Sequence, residues 1–275
     1  MRRRRLAGEL RRLRKEAGLT AEAVGERLEL DPSWVSRIEN GRRRIRPIDL
    51  RALLDVYNIH GSAREELLTL AREARQRGWW HTFGDVIPEW FQAFVGLEAE
   101  VSELRSYNTE LVPGLLQTPD YYRGYIRTDP TASSPEEIDR KIDFRQARQV
   151  RLTDSNPLQL WVVMNEAVIR RPVGGRETMQ AQLRHLVEMS ERPNVTLQVL
   201  PFEAGPHPAM DGGFVVLGFQ APDPDVVYLE NPVGSLYLEE QKAVDRYNLV
   251  FNHLRAKALD PDRTRNLLAQ VAEEA

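Results

Sequence analysis

The 275-residue chain contains no cysteine. That excludes a disulfide framework, thiolate chemistry and a cysteine-ligated zinc. Histidine is sparse. His60, His81, His185, His207 and His253 show no i, i+4 pair and no metal-ligand spacing. No apolar run approaches the roughly 18 residues of a membrane span. The basic run Arg2 to Arg5 imitates the start of a signal peptide, but an Arg- and Glu-rich amphipathic stretch follows it, so a cytoplasmic chain is expected. Gly174 and Gly175 lack the lysine and hydroxyl residue of a phosphate loop, and no serine sits in a Gly-x-Ser-x-Gly elbow. No catalytic residue, cofactor or metal is therefore expected.

What is present is divided unevenly. Residues 1–77 carry 19 basic and 12 acidic residues, a net of +7, and the remainder carries 19 and 29, a net of −10. Hydrophobic content of 41% is enough for real cores, and the length suits two domains. A basic first quarter on an acidic body points to a polyanion as partner of the first part. We place the domains at 1–77 and 78–275.

Apolar Leu6, Leu10 and Leu13 recur at helical spacing, and Gly18 stops that helix. Thr20 is suited to cap a second helix carrying Val24 and Leu28. Asp31 and Pro32 open a third, in which Val35 and Ile38 point inward. Gly41 ends it. Pro47 opens a fourth helix, and Ser62 a fifth that runs to about Arg77. This all-α, five-helix pattern resembles the lambda-repressor-like helix-turn-helix domain of the XRE or Cro class over residues 6 to about 60.

The resemblance implies several roles. Gly25 sits where the two helices of the motif nearly touch, and Arg14 and Glu39 form a partly buried ion pair between the first and third helices. Two positions depart from the family: Glu29 replaces a turn glycine, at a cost of about 1 kcal/mol in a left-handed conformation, and Ala21 replaces a glutamine that contacts DNA. Ser33, Trp34 and Arg37 are the candidates for base edges, with Arg37 able to pair bidentately with guanine. For Trp34, packing against the domain stands as the alternative. Thr20, Asn40, Arg42, Arg43 and Arg44 are candidates for phosphates, which orient without specifying. Arg2 to Arg5 add either an arm or an unstructured tail.

The body opens with an aromatic cluster, Trp79, Trp80, Phe83, Trp90, Phe91 and Phe94, read either as core or hinge or as a wall shared with a ligand or partner. Strands are predicted at 104–112, 158–164, 195–200, 214–219, 226–229 and 235–238. Helices are predicted from Pro119, over 135–151, 179–191 and 244–259, and from Pro261. An α/β layer with a mixed sheet follows.

Five ordered phrases stand in this body. They are Leu-Val-Pro-Gly-Leu-Leu-Gln-Thr-Pro-Asp-Tyr (111–121), Arg-Gln-Ala-Arg-Gln (145–149), Asn-Glu-Ala-Val-Ile-Arg-Arg-Pro-Val-Gly-Gly (165–175), Val-Leu-Pro-Phe-Glu-Ala-Gly-Pro-His-Pro (199–208) and Val-Tyr-Leu-Glu-Asn (227–231). They resemble the effector region, of unknown function, of actinobacterial antitoxin-like XRE regulators. The resemblance implies an autoregulatory binder of double-stranded DNA with a small companion protein from the adjacent gene, and beside it a homodimer and a small-molecule ligand for the body are expected. Glu166, His207, Asp211 and Glu230 lie in or beside the phrases and are candidates to converge in a pocket. Loop capping and a Glu166 ion pair to Arg170 or Arg171 are the structural alternative.

Overall fold

Caps and glycines cut the first part of the chain into short helices. The computed structural model describes residues 2–39, 45–73, 78–131, 134–221 and 223–274, and the chain divides into two compact units, 1–78 and 79–275. Helix α1 (Arg2–Glu16) gives way to Gly18, which takes the left-handed φ of 67° that ends helices cheaply. Helix α2 (Ala21–Arg27) starts beneath Thr20, whose hydroxyl accepts the Ala23 N–H at 3.1 Å. Helix α3 (Pro32–Glu39) starts beneath Asp31, whose carboxylate accepts the Ser33 N–H at 2.7 Å. Helices α4 (Pro47–Val56) and α5 (Gly61–Glu73) close the unit. The expected extension of α5 over 74–77 lies outside the described residues. Arg2 to Arg5 are not an unstructured tail, because their backbone is already the first turn of α1.

The turn between α2 and α3 is tight for a definable reason. A Cβ on Gly25 would stand 2.7 Å from the Leu30 carbonyl oxygen and 3.3 Å from the Pro32 Cα, so only glycine allows this approach. Glu29 takes the strained left-handed conformation, φ 55°, expected of it. Leu10, Val24, Val35, Leu50 and Leu54 form the solvent-free centre of the core.

The second unit is built around one sheet. After a 3-10 turn at Trp79–Phe83 come α6 (Glu89–Glu98) and β1 (Glu103–Asn108). Then follow α7 (Pro119–Ile126), α8 (Pro135–Gln149), β2 (Gln159–Asn165), the short α9 (Glu166–Arg170), α10 (Arg176–Ser190) and β3 (Val195–Leu200). The strands β4 (Phe214–Gly218), β5 (Val226–Asn231) and β6 (Gly234–Leu238) precede α11 (Gln241–Lys257) and α12 (Pro261–Glu274). The first strand is shorter than its alternation suggested. It leaves the sheet after Asn108 and reaches a 3-10 turn at Gly114–Leu116.

The strand order is β3-β2-β1-β4-β5-β6. Pairings among β1, β2 and β3 are parallel, and β1–β4, β4–β5 and β5–β6 are antiparallel. The sheet is therefore mixed. Long connections containing helices join the parallel strands, as parallel pairing requires. One face buries Tyr107, Val163, Phe214, Val216 and Val227 against Val250, Phe251 and Leu254 of α11. The other face carries Leu104, Ser106, Asn108 and Tyr228, and α6 packs on it through Phe94, whose ring lies 4.4 Å from that of Tyr228. Among the described residues no helix is long and apolar enough to cross a membrane.

Candidate functional site

In the first unit, α3 divides cleanly into a held face and a free face. Trp34, Val35, Ile38 and Glu39 are buried, whereas Ser33 and Arg37 are exposed. The Arg14 guanidinium fixes the far end of the helix by a bidentate pair to Glu39, at 2.7 and 3.0 Å, and also donates to the Leu19 carbonyl at 2.6 Å. This pair raises Arg14 above its ordinary value, because Glu39 accepts its hydrogen bonds. The pair is partly buried, as the resemblance implied, and it spans α1 and α3.

Trp34 requires a correction. It is only 6% exposed and belongs to the core, so its indole is not available to a base edge. Next to Val35 on an eight-residue helix, it lies at the border of the buried face, and its bulk carries it inward. Of the three candidates, Ser33 and Arg37 remain on the free face. Among the phosphate candidates, Thr20 is exposed and its oxygen caps α2. Asn40, Arg42, Arg43 and Arg44 lie outside the described residues.

In the second unit, the sequence candidates do not converge. Glu230 is on the sheet face shared with Tyr228, whose hydroxyl donates to it at 2.9 Å. His207 is on the opposite face: its Nε2 lies 3.1 Å from the Tyr107 hydroxyl, and its Nδ1 accepts the Ala209 N–H at 3.3 Å. Burial holds His207 below the ordinary histidine value, helped by Lys257. Glu166 pairs with Arg170 at 3.1 Å and accepts the Phe202 N–H at 2.8 Å, which ties α9 to the loop after β3. Asp211 is exposed on the loop before β4. The alternation along β1 and β5 separates Glu230 from His207, since Tyr228 and Tyr107, their respective partners, point to opposite faces.

The tryptophans of the aromatic cluster also stay outside the cavity of this unit. Trp79 packs edge-on against Trp80 and Phe83 and, tilted, against Phe144. Trp80 covers Gly96, where a Cβ would come within 3.2 Å of its ring. The Trp90 carbonyl accepts the Tyr237 hydroxyl at 3.3 Å. Phe91 and Phe94 are the members that line a cavity.

That cavity has a volume of about 240 Å3 and lies between the sheet and the helices α6, α7 and α8. Its polar wall was not foreseen. Arg148 forms a buried bidentate pair with Glu98, both bonds 2.7 Å long. Phe91, Phe94 and Phe144 stand 5.2, 5.7 and 5.7 Å from the same guanidinium. A Cβ on Gly114 would lie 3.2 Å from Arg148, so the Pro113–Gly114 turn lets the loop close over the cation. Arg145, one turn earlier on α8, faces the same cavity. The phrase at 145–149 contained both arginines, but the helix predicted over 135–151 gave no sign that they face a cavity.

The fold and these sites define a two-unit protein with a helix-turn-helix head and an α/β body. Residues 5–67 match a family model described as helix-turn-helix domain. Residues 91–270 match a family model described as domain of unknown function (DUF5753), and the chain belongs to that family. No curated protein and no solved structure matches the chain. The helix-turn-helix domain points to a DNA-binding regulator rather than an enzyme.

Proposed function

We propose that the chain is a sequence-specific transcriptional regulator that binds double-stranded DNA as a homodimer, controls its own operon, and receives a signal through residues 79–275. The observation that carries this reading is the two-faced α3, which buries Trp34, Val35, Ile38 and Glu39 and exposes Ser33 and Arg37. A helix locked on one side and polar on the other is suited to the major groove. Two copies then read half-sites about one helical turn apart. Arg37 reads a base, and Asn40 and Arg42 to Arg44 hold phosphates. The net charge of −10 over residues 78–275 discourages nonspecific contact with DNA by the body. A signal bound there acts only through different affinities for two arrangements of the heads.

A second reading is an antitoxin-like role, in which the body sequesters a small companion protein. The sheet edge favours it: β6 is a terminal strand, and Val233 and Leu236 of its hairpin are exposed. Such an edge offers a template for strand addition.

Selection of bound DNA from a random pool tests the first reading. Arg37→Ala is expected to relax preference at one base position. Arg43→Ala is expected to weaken all sequences alike and reduce the salt slope by about one. Equal loss on every site from both changes refutes the assignment of roles. Co-purification with the neighbouring small protein, abolished by Leu236→Lys, supports the second reading.

A further inference from the structure

The two arginines of α8 enter the cavity in different states. Arg148 is paired bidentately with Glu98. Arg145 has no carboxylate partner among the described residues. Its Nε donates to the Gln117 Oε1 at 3.2 Å, and its guanidinium lies 3.5 Å from the centroid of the Tyr122 ring. Gln117 is itself fixed, donating to the Val112 carbonyl at 2.7 Å. The Arg145 cation is therefore held in position without a direct ion pair, while Glu230 of the same cavity acts on it only through space. Burial pushes it down to about 10, and neighbouring Arg148 adds to the effect.

The rest of the cavity suits the other end of a ligand. Leu160, Phe91 and Phe94 give an apolar lining, and Asn108, whose Oδ1 accepts from Ser106 at 2.9 Å, adds an amide. At about 240 Å3 the space is smaller than the roughly 300–1,000 Å3 of drug-sized sites. Glu230 also lines it, so a second negative charge on the ligand meets repulsion.

We propose that this cavity binds a small organic monoacid, its carboxylate paired bidentately with the Nη groups of Arg145 and its apolar part against Phe91, Phe94 and Leu160. Guanidinium is the side chain whose planar fork matches a carboxylate. The proposal deepens the reading of the body as a signal receiver, and rests on that reading only for the consequence of binding.

Calorimetric titration of the full chain, without DNA, tests it. The probes are butyrate, hexanoate, benzoate and phenylacetate, with phenylacetamide as the neutral counterpart and succinate as the diacid. At least one monoacid is expected to bind with millimolar or better affinity, with the amide and the diacid at least tenfold weaker. Arg145→Gln is expected to lower monoacid affinity tenfold to a hundredfold, the range for a charge-assisted pair. Arg145→Lys keeps the charge, loses the fork and should fall between. Because the lysine variant and the acid–amide comparison do not depend on Arg145→Gln folding, they keep the test decisive if that variant unfolds. The proposal is overturned if no monoacid binds at up to about 10 mM, if amide and acid bind alike, or if both variants bind as the parent does. DNA binding by the same preparations, measured separately, fails or survives independently of these outcomes.

Discussion

Removing the Glu98 carboxylate is the most informative perturbation of the second unit. Glu98 and Arg148 are 2% and 6% exposed and joined by two 2.7 Å bonds. At an effective dielectric of about 20, two unit charges 4 Å apart attract by about 4 kcal/mol. Glu98→Gln removes that attraction and leaves the cation buried. Phe91, Phe94 and Phe144 surround Arg148 in parent and variant alike and so cancel, whereas the glutamine oxygen keeps a neutral hydrogen bond that returns about 1 kcal/mol. The expected net cost is about 3 kcal/mol, at the low end of values for broken buried pairs. In urea this moves the midpoint of the second unit down by about 1–2 M. Tryptophan fluorescence suits the assay, because Trp79, Trp80, Trp90 and Trp161 lie in that unit and only Trp34 in the head. The double variant Glu98→Leu/Arg148→Met should recover most of the stability, since it leaves no unpaired charge. A single variant within 1 kcal/mol of the parent, or a double variant less stable than either single one, would refute the reasoning.

Two further perturbations address the corrected and the pH-sensitive residues. Trp34→Ala should cost the head about 3–5 kcal/mol by opening a cavity, while Trp34→Phe should leave base preference unchanged. A shift in base preference from Trp34→Phe at unaltered stability would show that the indole reads DNA after all. His185 on α10 is held below its ordinary value of 6.5 by burial, so the folded chain binds its proton less readily than the unfolded one. The stability from its neutral form is present above about pH 6.5 and is lost as pH falls through that value toward the folded pKa. Urea midpoints at a series of pH values should therefore fall less steeply for His185→Gln, and identical slopes would contradict the assignment.

The head was largely legible because its signals are local. Thr20, Asp31 and Pro47 act on the backbone within a few residues, and Gly18 takes its left-handed turn beside the helix it ends. The Arg14–Glu39 pair was accessible only through the family resemblance, since 25 residues separate its partners. Trp34 was misjudged at the border between faces of a short helix, where a large side chain follows the core rather than the helical wheel. In the body the strands were visible as apolar runs, but Glu166 and His207 were grouped with Glu230 by their shared place in the phrases. Glu230 and His207 lie on opposite sides of the sheet and Glu166 on the short helix α9, and a phrase in sequence carries no information about that.

What the chain determined by itself was therefore the set of elements, the basic head, and the side of α3 that stays polar. Periodicity, caps and glycines are properties of neighbouring residues, and they survive any arrangement of the rest. The tertiary structure decided which charges meet. Glu98 finds Arg148 across 50 residues, while Arg145, three positions from Arg148, finds Gln117 and Tyr122 and no carboxylate. Burial makes the difference consequential, because water screens a charge on a solvated helix, whereas the buried Arg148 needs its partner inside the protein and the half-buried Arg145 keeps some access to solvent.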